Sequence, residues 1–152
     1  MSLDLVVDAG ARVPAELRGK LRREVARMVK AAALHDARAD YEVVLRLCDD
    51  ATIHELNRAW RHKNKPTDVL AFAQREAAAA DAGLLGDIVI SLETATRQAR
   101  RGLHAELLHL ASHGLCHLLG YDHRDDEEEA TMNARAAALR KEAARAGRVR
   151  AA

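Results

Sequence analysis

Three histidines, His113, His117 and His123, fall within the twelve-residue stretch SHGLCHLLGYDH at 112–123. His113 and His117 are four apart, a spacing that puts both imidazoles on one face of a helix, about one turn from each other. There they can share a metal at the usual Zn–N distance of about 2.0–2.1 Å. Gly120 offers a left-handed helix stop, after which the chain can double back and bring His123 to the same point from a loop. Three imidazoles with one open position make a catalytic zinc arrangement, whereas structural sites use four protein ligands and favour Cys. Such a metal lowers the pKa of a bound water towards neutrality or polarises a phosphoryl oxygen. Nickel, copper and iron also accept three imidazoles.

Neighbouring residues compete for roles. His109 continues the stripe, but it lies about 80° and 12 Å of helix rise from His117, too far to share one ion with it. It reads as a flanking residue. Gly114 stands where a protease of the H-E-x-x-H type needs its Glu base, so peptide hydrolysis by that route is disfavoured and Gly114 reads as a point of close approach. Tyr121 is expected to pack against Cys116 across the helix stop, which makes Cys116 a core residue rather than a fourth ligand. Asp122 can hydrogen-bond a ligand imidazole or simply hold a turn. His35, His54, His62 and His104 have no paired spacing and read as surface or loop residues.

The elements that must position these groups follow from periodicity. Leu3–Val7 and Tyr41–Cys48 read as strands. Between them, Leu17, Leu21, Val25, Met28 and Val29 recur at helical spacing, giving an amphipathic helix over 14–34 opened by Pro14. Asp49–Asp50 cap a helix carrying Ile53, Leu56 and Trp60. Beyond Pro66, Thr67–Ala73 and Gly86–Ser91 read as strands, separated by an Ala-rich loop at Gln74–Gly83. Glu93–Leu119 reads as one helix, apolar nearly all round and therefore buried. Arg124–Gly147 reads as a final, more exposed helix. The order β-α-β-α-β-β-α-α implies an α/β (α+β) fold. It comprises a single mixed four-stranded sheet packed with four to five helices, one domain over 1–152, with the metal site at the C-terminal end of the buried helix.

Composition sets outer bounds. The chain has 152 residues, 49% of them hydrophobic, enough for a real core, and a formal net charge of +1. Basic residues cluster at Arg58, Arg61, Lys63 and Lys65, at Arg97, Arg100 and Arg101, and at Arg140, Lys141, Arg145, Arg148 and Arg150. A near-neutral protein can still present a basic groove. Cys48 and Cys116 form no CxxC pair and read as reduced core residues of a cytosolic protein. No run approaches a membrane span and the N-terminus lacks a signal-peptide pattern, so a cytoplasmic protein with no membrane partner is expected.

The eleven residues HGLCHLLGYDH resemble the H-G-x-x-H-L-x-G-Y-D-H signature of the YbeY family of bacterial endoribonucleases. LNRAWRHKNKPTDVLAF resembles that family's L-N-x-x-Y-R-x-K-x-x-P-T-x-V-L-S-F segment, LGDIVIS its L-G-D-I-x-I-S strand, and Glu129 with Met132 its E-x-x-M pattern. Together these span about 53–132 in the family's order. Trp60, Ala71 and Ala73 stand where the family commonly has Tyr, Ser and Pro. The resemblance implies a mixed α/β fold. It also implies a metal-dependent, single-strand-selective endoribonuclease acting in ribosomal RNA processing, at the small-subunit RNA 3′ end, and in ribosome quality control. One zinc per chain would sit on His113, His117 and His123, and Arg61 would be the basic residue needed for activity.

RNA cleavage builds charge at phosphorus and calls for a Lewis acid, a cation and an in-line nucleophile. Zinc fills the first role and Arg61, by bidentate pairing with phosphate oxygens, the second. Lys63 and Lys65 are expected to hold flanking phosphates. Asp68 can pair with a basic residue there or cap a turn. The nucleophile can be zinc-bound hydroxide or the RNA's own 2′-OH. With few aromatics for base stacking, backbone electrostatics should dominate over sequence readout, and the ribosome would supply selectivity. Two other classes compete: a zinc hydrolase acting as peptidase or phosphoesterase, and a non-catalytic, zinc-stabilised ribosome-assembly factor.

Overall fold

The computed structural model describes residues 3–74 and 83–151. Four strands, β1 (Leu3–Val7), β2 (Glu42–Cys48), β3 (Val69–Ala73) and β4 (Leu84–Ser91), form one sheet in the order β1-β2-β4-β3. β1, β2 and β4 run parallel, and β3 pairs antiparallel with β4 at the edge. The helices are α1 (Ala15–His35), α2 (Asp50–Arg61), α3 (Leu92–Gln98), α4 (Leu103–Leu118) and α5 (Asp126–Ala151). The expected mixed four-stranded sheet with its helices is therefore the fold. The Ala-rich loop reading falls mostly on 75–82, outside the described residues.

Alternation within the strands decides which face is buried. Val43, Leu45 and Leu47 of β2 and Ile88 and Ile90 of β4 point to one side and are almost fully buried. That side is covered by α1, α4 and α5, whose apolar stripes include Leu21, Val25 and Met28, Leu107 and Leu115, and Met132 and Leu139. Among the described residues the other side carries α2 and a small cluster of Cys48, Ile53, Leu70 and Val89. Gly114 lets α4 seat closely on the sheet, since a Cβ there would come within 2.7 Å of Ile88 Cγ2.

One expected element is two. The helix read over Glu93–Leu119 breaks into α3 and α4, with Ala99 extended at ψ 122° and Gly102 at φ +94°. Ser91 caps α3 by accepting the Thr94 N–H. The apolar period runs on past the break and hides it. Gly102 was the signal, because it takes a positive φ at no steric cost.

Candidate metal centre

α4 ends as Gly120 demands. The Gly120 N–H donates to the His117 carbonyl and the Tyr121 N–H to the Cys116 carbonyl, each at 3.1 Å, with Gly120 at φ +102°. This pair of bonds is a Schellman stop, and it turns the chain back beside the last helical turn. His123 thereby faces His117 with ring centroids 5.1 Å apart, while His113 and His117 are 5.5 Å apart and His113 and His123 6.3 Å. One nitrogen from each of the three rings lies within 4.8 Å of the others, a set that could hold a metal ion. His109 is outside this set, its ring 6.1 Å from His113 on the far side.

The electrostatics suit the same purpose. Burial pushes the His113 imidazole below its usual 6.5, and the nearby His117, His109 and His123 push it the same way against Asp68. His117 is lowered too, first by burial and then by His123. Both shifts favour the neutral ring, the state in which imidazole offers a lone pair to a metal. Cys116 is fully buried and its thiol is pushed up to about 11 by burial, so it belongs to the core. Tyr121 packs on the cluster that contains Cys116. Asp122 accepts the His123 backbone N–H at 2.8 Å, holding the turn, while its carboxylate stands 3.8 Å from His123 Nδ1.

The three rings open into a cleft of about 510 Å³ whose opposite wall is the end of α2, the loop after it and edge strand β3. Arg61, Lys63 and Lys65 all line it and all are exposed. Arg61 donates to the Ala71 carbonyl at 2.5 Å and lies 5.7 Å from the Phe72 ring centroid, which sets its guanidinium at the β3 edge. The loop is held from beneath. Asn57, 2% exposed, donates its amide to the Lys65 carbonyl at 2.9 Å, and His62 ends α2 in the left-handed region at φ +59°. Asp68 caps its own strand by accepting the Val69 N–H at 2.8 Å and accepts from Gln98 Nε2 at 3.2 Å. It therefore acts as a cap rather than as the partner of a lysine or arginine.

Sequence reasoning missed three features. Asn57 and Gln98 gave no local signal, because both act across the fold. His104 is not on the surface: it sits between α4 and α1, with Nε2 3.4 Å from Glu24. Trp60, on the helix that carries Ile53 and Leu56, is 69% exposed and lines a second groove on the outer sheet face with Phe72 and Arg46.

The fold and the site define an α/β sheet protein with three imidazoles, close enough together to hold a metal ion, gathered in a cation-rimmed cleft. The family is shown by comparison: the model described as Endoribonuclease YbeY matches residues 12–144, and the chain belongs to that family. It is 55% identical over 106 residues to an Endoribonuclease YbeY of Synechococcus sp. (strain RCC307), covering 65% of this chain and 66% of that protein. A second, from Moorella thermoacetica, is 49% identical over 120 residues, covering 72% and 77%. The chain is also similar to the solution structure of a Thermotoga maritima protein, with a TM-score of 0.61 and 26% identity over 97% of this chain and 93% of that one. The match spans just under two thirds of the first Synechococcus protein and 57% of a second, from strain CC9605. No helix among the described residues is long and apolar enough to cross a membrane.

Proposed function

We propose that this chain is a zinc-dependent, single-strand-selective endoribonuclease. It would act as one domain over 1–152 in the cytoplasm, on ribosomal RNA at the small-subunit 3′ end and in ribosome quality control. The observation that carries this reading is the convergence of His113, His117 and His123 with Arg61 on a single cleft. One zinc per chain on the three imidazoles would supply Lewis-acid charge to the scissile phosphate. Arg61, its guanidinium fixed at Ala71, holds N–H groups towards a phosphate and stabilises charge as it builds. Lys63 and Lys65 hold flanking phosphates as point charges on a loop anchored by Asn57. Asp68, tied to Gln98, keeps the β3 end of the cleft in place. A cleft built from cations and imidazoles grips backbone rather than bases, which suits a flexible single strand better than a duplex.

Metal content and cleavage of matched single-stranded and duplex RNA, measured on the wild type and His113→Ala, test this reading. The wild type should carry about one zinc per chain and cut the single strand preferentially. The variant should lose both. Zinc with no cleavage at any concentration would favour the assembly-factor reading, and equal cleavage by the variant would point to a contaminating nuclease.

A further inference from the structure

A separate groove, about 480 Å³, lies at the other end of α4 from the Schellman stop. The fold brings together there two basic clusters distant in sequence: Arg100 and Arg101 from the α3–α4 break, and Arg140 from α5. His109, one turn before His113, lies between this groove and the three-histidine cleft. The two are joined on the other side by Gln98, whose Nε2 donates to Asp68 in the cleft and to Glu106 in the groove, each at 3.2 Å.

Among the described residues the charges here lack an acidic partner: none of Arg100, Arg101 and Arg140 forms an ion pair. Among the described residues Glu106 is the one carboxylate lining the groove, and Gln98 holds it. Arg140 is half-buried and aimed by a short relay: its Nη1 donates to Ser112 Oγ at 2.6 Å, and that fully buried hydroxyl donates to the His109 carbonyl at 2.8 Å. Sinking a guanidinium without a counter-charge is unfavourable, and an anionic ligand relieves it. From His113 back to Leu103, the first residue of α4, the helix rises about 15 Å, a distance a single strand of a few nucleotides spans.

We infer that this groove carries phosphates of the RNA strand as it leaves the cleft, with Arg140 as the recessed phosphate ligand and Arg100 and Arg101 as the outer ones. The inference rests on the ribonuclease reading. It gives the substrate a direction, along α4 from the Schellman stop towards Gly102. It also gives a use to arginines that the chemistry at the three histidines leaves unemployed.

Steady-state cleavage of a single-stranded RNA of about twelve nucleotides, within the range of such sites, tests it across a salt series with the zinc-loaded enzyme. Arg100 and Arg101 are exposed and outside the cleft, so R100A/R101A should fold and turn over at the wild-type kcat. Its KM should rise about tenfold, and the slope of log(kcat/KM) against log[salt] should shrink by about 1.4, or about 0.7 for each phosphate that is no longer neutralised. R100K/R101K should recover most of both, and Arg140→Gln should raise KM with kcat kept. Wild-type KM and slope in R100A/R101A would overturn the groove while leaving the ribonuclease intact. Failure of the lysine variant to rescue would overturn it too, by showing a structural rather than an electrostatic effect. A wild type that cuts no RNA would remove both readings together.

Discussion

The two faces of the sheet are built to different rules. The face under α1, α4 and α5 is a continuous apolar interior, and residues such as Leu45, Ile88, Leu107 and Leu115 are wholly buried. The face under α2 is thinly covered: beyond its small cluster it shows an Asp8–Arg46 ion pair and an exposed Trp60. The candidate site lies where the two meet, at edge strand β3. The covered face supplies His113 and His117 on a packed helix and His123 just past its stop, and the thin face supplies Arg61, Lys63 and Lys65 on a helix end and loop. A metal site needs rings fixed to within a fraction of an ångström, and close packing gives that. A phosphate clamp needs exposed charge, and thin cover leaves it.

Stability measurements can break this contrast. Leu115→Ala empties a packed position on the covered face and should cost about 2–5 kcal/mol in denaturant unfolding. Trp60→Ala on the thin face should fall within about 0.5 kcal/mol of wild type. Comparable losses at the two sites would abolish the distinction. Gly114→Ala tests how tightly the histidine helix is seated. Its Cβ would press on Ile88, at a cost of about 1–3 kcal/mol. Ile88→Ala in the same chain removes both γ carbons the new Cβ would strike, so the double variant should lose less than the two single losses combined, and strict additivity would argue against the contact.

Smaller effects sharpen the picture on the thin face. Asn57→Ala leaves the Lys65 carbonyl without its buried donor and should cost about 1 kcal/mol. It should also raise KM for RNA more than it lowers kcat; an unchanged KM would show that the loop holds its place unaided. Asp50 ties the start of α2 to α3. Burial alone would raise its carboxyl, but hydrogen bonds from Ser91, Thr94 and Arg97 outweigh that and leave it below its usual 3.8. Its contribution is therefore present above pH about 3.8 and lost as the pH falls through the lower folded value. Asp50→Asn should flatten that acid limb of the stability curve and leave the neutral region's slope alone.

Much of this was legible in the sequence, for physical reasons. The strands alternate, the helix stop at Gly120 is local chemistry, and His113, His117 and His123 come together because of spacing and that stop. What escaped needed contacts across the fold. Leu103, Leu107 and Leu110 continue a helical period that Gly102 interrupts, so the break at 99–102 looked like unbroken helix. Asn57 under the basic loop and Gln98 beside Asp68 are ordinary polar residues until β3 and α3 are placed. Arg140 meets Arg100 and Arg101 only because α5 folds back along α4. Trp60 followed an apolar period, but the sheet face it would have joined is not covered that far.

The central claim is that both faces act on one phosphodiester, and Arg61→Ala tests it most directly. Zinc content and single-strand cleavage should be measured on the same preparation of this variant and of the wild type. The account predicts about one zinc per chain in both and a fall in cleavage of about a hundredfold or more in the variant, the scale for removing one charge-stabilising donor. Wild-type cleavage by zinc-replete Arg61→Ala would contradict it, because the histidines would then be working without the cation the thin face provides.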